Sequence, residues 1–403
     1  MLQPYNSWWI LLSLLTDCIF ADLTEQKKFS PSTSKTLYRL CLVKNLSLIA
    51  WFCVVLPIFY NKDPLVSLTV ISLCSIDALT RQQRGSLSIT SPVAFCLNSL
   101  FLGRLIIGPV GNSDRFFLQL SNIKPSFSVA FRGLMRLITG IAKRVIIVGQ
   151  LTILVGDILE TPQGQITIAT AWLTALSCAL ILYFTLSAYS DIAVGLAMIF
   201  SIELRPFVYY PFQARGPREY TYRINLPLED TVGELLSPGF DHGANHRFNW
   251  ILSLFTPLII AVWLFPSVNS FIWGLLLALF VAVDWLLLRH IPAALNIPLR
   301  IFAFIITLPV NLFLLPAKTE YIYSLLSAMF GIGNPAIYND LIIYLTGANL
   351  LLLIIAVTSS ISLSNALSRL VYRQFPRLWW ICAVLFTSII LIITTSFMMW
   401  NVG

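Results

Sequence analysis

The 403-residue chain is 57% apolar and only 11% charged, carries a net charge of +8 and has a mean hydropathy of +0.81. Soluble globular domains carry about 25% charged residues, so this composition excludes one of this size, and the lack of a compact basic domain argues against a nucleic-acid partner. Apolar runs of about 20 residues recur and the period-two alternation of a barrel is missing, which leaves an all-α polytopic membrane protein.

In chain order, apolar spans are expected at 8–23, 40–60, 64–80, 90–110, 144–159, 166–188, 190–204, 248–266, 270–289, 296–316, 341–362 and 378–400. Several are short, so a bundle of about nine to twelve membrane segments is expected, within a single membrane domain over 1–403. The N-terminus lacks the basic leader of a signal peptide and reads as a retained span. Cationic residues cluster between spans: Lys27, Lys28, Lys35, Arg39 and Lys44 first, then Arg81, Arg84, Arg132, Arg136, Lys143 and Arg144, then Arg369, Arg373 and Arg377. That pattern predicts an orientation signal and membrane lipids as partners.

Three polar or interfacial segments interrupt the spans, at 21–39, 111–143 and 205–247. In the second, Phe127, Phe131, Leu134, Ile138 and Ile141 share one helical face and Arg132, Arg136 and Lys143 the other, the pattern of an amphipathic helix lying in the headgroup plane. The third is broken by Pro206, Pro211, Pro217 and Pro227 and is dense in aromatics, which predicts a segment folded against the bundle. The seven cysteines lie mostly within apolar runs without a CxxC pair, and read as small buried residues, neither disulfides nor metal ligands. No internal repeat is visible, and the halves do not mirror each other.

The stretch LILYFTLSAYSDIAVGLAMIFSIELRPF, residues 180–207, sets Tyr189, Ser190 and Asp191 inside a membrane-grade run. A carboxylate at that depth faces a partner or a water-filled cavity. Asp191 is thus either a charge partner locking the bundle or a participant in chemistry, and Asp284 is a second intramembrane carboxylate. Among the histidines, His242 and His246 stand four apart beside Asp241, but Gly239 and Gly243 argue against a helix there and no third ligand is evident, so no metal and no cofactor is expected.

The order of YSDIAVGLAMIFSI, RPF and GPREY resembles the membrane-bound O-acyltransferase family, and within it the bacterial branch that acylates alginate and teichoic acids. Tyr189, Ser190, Asp191, Ile192, Ala193 and Gly195 match one family motif; Pro217, Arg218, Glu219 and Tyr220 match the start of another. Upstream, Gly108, Pro109, Phe116, Phe117 and Leu120 are similar to a further family segment, and SLLSAMFGIG to a late one, so the likeness covers 90–332 as an acyltransferase-like core. The resemblance implies a helical bundle around a tunnel in which a histidine deprotonates an acceptor hydroxyl and a thioester-type acyl donor supplies the group. Tyr189, Ser190, Asp191, Arg218, Glu219, Trp263 and Asp284 would line its polar interior. The chain departs from the family where that histidine is expected: Asn225 stands at one histidine position and Leu264, after the matching Trp263, at the other. Neither an amide nor an aliphatic side chain serves as a base near neutral pH.

Three functions follow. The first is a pseudoenzyme of this fold acting as scaffold or subunit of a membrane complex. The second is a working O-acyltransferase for a cell-envelope polymer, with His242 or His246 as displaced base. The third is a transporter with Asp191 and Asp284 as a coupling pair. A bacterial inner-membrane location is expected for all three.

Overall fold

A computed structural model describes residues 4–26, 28, 30–52, 66–89, 91–107, 113–226, 254–261, 267–287, 296–361 and 374–400. They form helices: α1 (Pro4–Glu25), α2 (Pro31–Ala50), α3 (Val66–Gln83), α4 (Pro92–Leu100), α5 (Leu102–Ile107), α6 (Ser113–Ser121), α7 (Phe127–Ala142), α8 (Gly149–Leu159), α9 (Ile168–Ile199), α10 (Pro217–Ile224), α11 (Val268–Leu287), α12 (Asn296–Val310), α13 (Thr319–Met329), α14 (Asp340–Ala348), α15 (Leu350–Ser359) and α16 (Pro376–Trp400). The starts are written in the sequence. Ser30, Ser91, Thr167 and Asn339 accept hydrogen bonds from the backbone N–H three residues on, and Pro31 and Pro92 occupy first-turn positions where no donor is needed. The all-helical membrane architecture expected from composition is therefore what the chain adopts.

Helix α9 is the axis of the molecule. Its small residues Ala171, Ala175, Ala179 and Ala193 are buried in one cluster with Trp273 and Leu277 of α11, Leu308 and Val310 of α12, and Ile322 and Leu325 of α13. A second cluster joins Leu180, Tyr183 and Phe184 of α9 to Leu151, Leu154 and Ile158 of α8 and to Leu345, Leu353 and Ala356 of α14 and α15. A separate N-terminal cluster packs Leu14, Phe20 and Ala21 of α1 against Ile71, Ala78 and Leu79 of α3 and Phe95 of α4.

The boundaries expected from sequence change in four places. The spans at 166–188 and 190–204 are one 32-residue helix, α9, because the Tyr-Ser-Asp interruption keeps helical geometry. The segment read as an interfacial amphipathic helix continues through a π-helical run, Lys143–Val148, into α8. It thereby becomes one 33-residue apolar run, Phe127–Leu159, long enough to cross a bilayer. The 90–110 span is broken at Phe101, whose extended backbone separates α4 from α5. The 341–362 span bends by 60° between α14 and α15. Among the described residues, Phe127–Leu159, Ile168–Ile199 and Val268–Leu286 are the helices long and apolar enough to span singly, with the bent α14–α15 pair a fourth if counted as one.

Candidate functional site

Successive helical residues turn by about 100°, so the three polar residues in the last third of α9 face three environments. Tyr189 is 41% exposed. Ser190 is buried, and its Oγ accepts a hydrogen bond of 2.9 Å from the backbone N–H of Phe207, fastening the returning chain to α9. Asp191 faces α7: Arg136 Nε donates to its Oδ1 at 2.8 Å, and Lys143 Nζ to its Oδ2 at 2.6 Å and to Ser187 Oγ at 2.9 Å. Of the basic face, expected to meet water or phosphate, Arg136 and Lys143 meet a carboxylate instead. One turn beyond Asp191, Gly195 admits the α7 backbone. A Cβ there would lie 2.7 Å from both the Gly133 carbonyl oxygen and the Leu137 nitrogen, and one on Gly140 would lie 2.8 Å from the Ala188 carbonyl oxygen. Small residues facing each other let membrane helices approach backbone to backbone.

After α9 the chain turns at Ser201, in the left-handed region with φ 58°, and again at Tyr210 with φ 45°. It then enters α10, an eight-residue helix beginning at Pro217. Asp284 of α11 caps this helix from outside, its Oδ2 accepting the Arg218 backbone N–H at 2.9 Å. A Cβ on Gly216 would come 2.5 Å from that oxygen, so glycine is what allows the carboxylate to sit there. Glu219 is paired with Arg223 one turn on, at 2.6 Å, and its other oxygen accepts the Arg215 N–H at 2.7 Å. Backbone bonds from Tyr209 N–H to Arg223 O and from Leu226 N–H to Phe207 O close the segment on itself, so through residue 226 the stretch is folded against the bundle.

Asn225 lies just past the end of α10, 1% exposed, with its N–H donating to the Tyr222 carbonyl at 3.2 Å. Nearby is a buried neutral cluster that sequence reading missed in part. Trp273 Nε1 donates to Asn311 Oδ1 at 3.1 Å, and Asn311 Nδ2 donates to the Thr307 carbonyl at 2.9 Å. Tyr220 reaches Asn311 as well; burial pushes its phenol above the ordinary tyrosine range, a hydrogen bond with Asn311 opposing this, so it stays protonated. A signal for Asn311 was present: a lone amide after Pro309, where α12 gives way to a 3₁₀ turn inside an apolar run. Beside it an apolar cavity of about 440 Å³ is walled by Trp172, Leu276, Phe280, Val310, Phe313 and Phe330, a lining suited to hydrocarbon and not to charge.

The structure therefore brings Ser190 together with the returning segment, Asp191 with Arg136 and Lys143, and the Arg218 backbone with Asp284, while Tyr189 stays exposed and Glu219 pairs within its own segment. It gives Asp191 and Asp284 separate partners. Trp263, Leu264, His242 and His246 lie outside the described residues. Among the described residues no group of three His, Cys, Asp or Glu could hold a metal ion.

The fold defines the class, an all-helical integral membrane protein, and the sequence relatives are acyl-transfer proteins. The chain is 27% identical over 181 residues to the protein named Probable alginate O-acetylase AlgI in Pseudomonas putida, covering 45% of this chain and 37% of that one. It is 25% identical over 235 residues to its counterpart of the same name in Pseudomonas aeruginosa, covering 57% and 44%. It is 26% identical over 153 residues to the peptidoglycan O-acetyltransferase of Helicobacter pylori, covering 37% and 29%. No family model matches the chain. These relatives are membrane-bound O-acyltransferases, so the chain is related to that family at low identity, and it spans less than half the length of the curated relatives it matches.

Proposed function

We propose that this chain is an acyltransferase-like protein of a bacterial inner membrane that keeps the family frame without its acyl-transfer base and serves as a scaffold or subunit of a membrane complex. The observation that carries the reading is Asn225: the position where the family resemblance expects a histidine holds a buried amide just past the end of α10. The surrounding carboxylates support it, since each holds a helix. Asp191 is paired with two cations, Asp284 caps α10 and Glu219 is paired with Arg223. Proton removal from an acceptor hydroxyl contributes about 10²–10⁴ in rate to such a transfer, and neither Asn225 nor Leu264 supplies it.

One finding favours the second reading, an active enzyme with His242 or His246 as displaced base: the relatives' names describe acetyl transfer to alginate and peptidoglycan. A single assay separates the two. The purified chain is given an acetyl thioester with alginate or peptidoglycan fragments, and acetyl ester is measured. The expected result is no transfer by the wild type and co-purification of a membrane protein at fixed stoichiometry. Transfer that disappears in His242→Ala or His246→Ala overturns the scaffold reading.

A further inference from the structure

The α7–α9 contact leaves a cation with unused donors at the depth of the lipid phosphates. Arg136 binds Asp191 through Nε alone; its two Nη groups have no acceptor among the described residues, and its side chain is 34% exposed. Arg132, one turn nearer the start of α7, is exposed and lies on the same helical stripe as Arg136. With Lys143 the stripe holds three cations against the single carboxylate of Asp191, a surplus of positive charge.

Depth then selects the counter-ion. Helix α9 has 32 residues and is about 48 Å long, against about 30 Å of hydrocarbon, so roughly 9 Å projects at each end when it is centred. Gly133, next to Arg132, touches Met198 and Ile199 at the very end of α9, which places the Arg132–Arg136 pair at the membrane boundary. A planar guanidinium with both Nη groups open recognises a phosphate by paired charge-assisted hydrogen bonds.

We infer that Arg132 and Arg136 form a binding site for a phosphate group, and that its source is the headgroup of an anionic phospholipid seated against the α7–α9 seam.

The test is native mass spectrometry of the full chain in detergent, titrated in parallel with phosphatidylglycerol, phosphatidylcholine and inorganic phosphate. The wild type should retain phosphatidylglycerol over phosphatidylcholine, whose choline cancels the charge, and should retain no inorganic phosphate. Arg132→Gln should weaken phosphatidylglycerol retention roughly five- to tenfold, since a basic residue at the surface contributes about one logarithmic step or slightly less. Lys318→Gln, an exposed cation just before α13, should leave retention unchanged. Arg136→Gln also breaks the Asp191 pair and can unfold the seam, so Arg132→Gln is the deciding variant. Equal retention of the two lipids, or equal loss in Lys318→Gln and Arg132→Gln, overturns the site. Retention of inorganic phosphate that displaces the lipid overturns the lipid as its source.

Discussion

Asp191 shows how much one residue can mean and how little its own sequence position says about it. A carboxylate inside an apolar helix is costly unless paired, and this one is paired twice, to Arg136 and Lys143. Replacing Asp191 with Asn keeps the shape and removes the charge, leaving two cations facing each other. We expect a loss of about 2–4 kcal/mol, below the value for a fully buried pair because both cations are partly exposed. Unfolding of the detergent-solubilised protein would measure it, and Lys143→Met added to Asp191→Asn should recover part of the loss. If Asp191→Asn leaves stability untouched, the carboxylate has some other duty. The residue was legible as a site because a charge in such a run stands out. Its partners were not: the periodicity of 127–143 shows that Arg136 and Lys143 share a polar face, but a polar face toward water and one toward a buried carboxylate have the same pattern.

At the scale of elements, the two long helices are held together by what is missing from glycine. Gly133 and Gly140 on α7 and Gly195 on α9 touch backbone to backbone, so any side chain there must push the helices apart. Gly195→Val should therefore cost about 1–3 kcal/mol or more, the range for overpacking against atoms that cannot yield, and should loosen the Asp191 ion pairs one turn away. Gly149, at the start of α8, has open space around its would-be Cβ, and Gly149→Ala should be neutral or stabilise by up to about 1 kcal/mol through helix propensity. Thermal melts of the two variants side by side separate the seam from a general dislike of change in α7–α9. Sequence divided these elements in the wrong places for one reason. Each charge depresses a local hydropathy average, so Asp191 split α9 into two apparent spans, and the cations at 132–144 detached α7 from α8. Backbone hydrogen bonding runs on through both, in the second case by a π-helical run instead of a break.

Across the whole molecule, carboxylates in apolar helices serve as fastenings between elements. Asp17 of α1 accepts from Lys44 at 2.8 Å and from Asn45 at 3.0 Å on α2. Asp77 of α3 accepts from Ser113 at the start of α6, by N–H at 3.0 Å and hydroxyl at 2.6 Å. Asp191 joins α9 to α7, and Asp284 joins α11 to α10. The N-terminal cluster of α1, α3 and α4 meets the cluster around α9 through α3, whose Val70 and Cys74 are buried in the latter, and through Leu105 of α5, which packs against both. The placement of α1 can be checked without disturbing any of them. Cys18 of α1 and Cys96 of α4 face each other as free thiols, their sulfurs 4.0 Å apart. Membranes treated with copper phenanthroline, which oxidises thiol pairs by two electrons with loss of both protons, should give an intramolecular crosslink. It should appear as a mobility shift on a non-reducing gel, reversed by dithiothreitol and absent from both Cys18→Ser and Cys96→Ser. A crosslink surviving in either serine variant would mean that α1 packs elsewhere, and the ion pairs of Asp17 and Lys44 would then need a different seat.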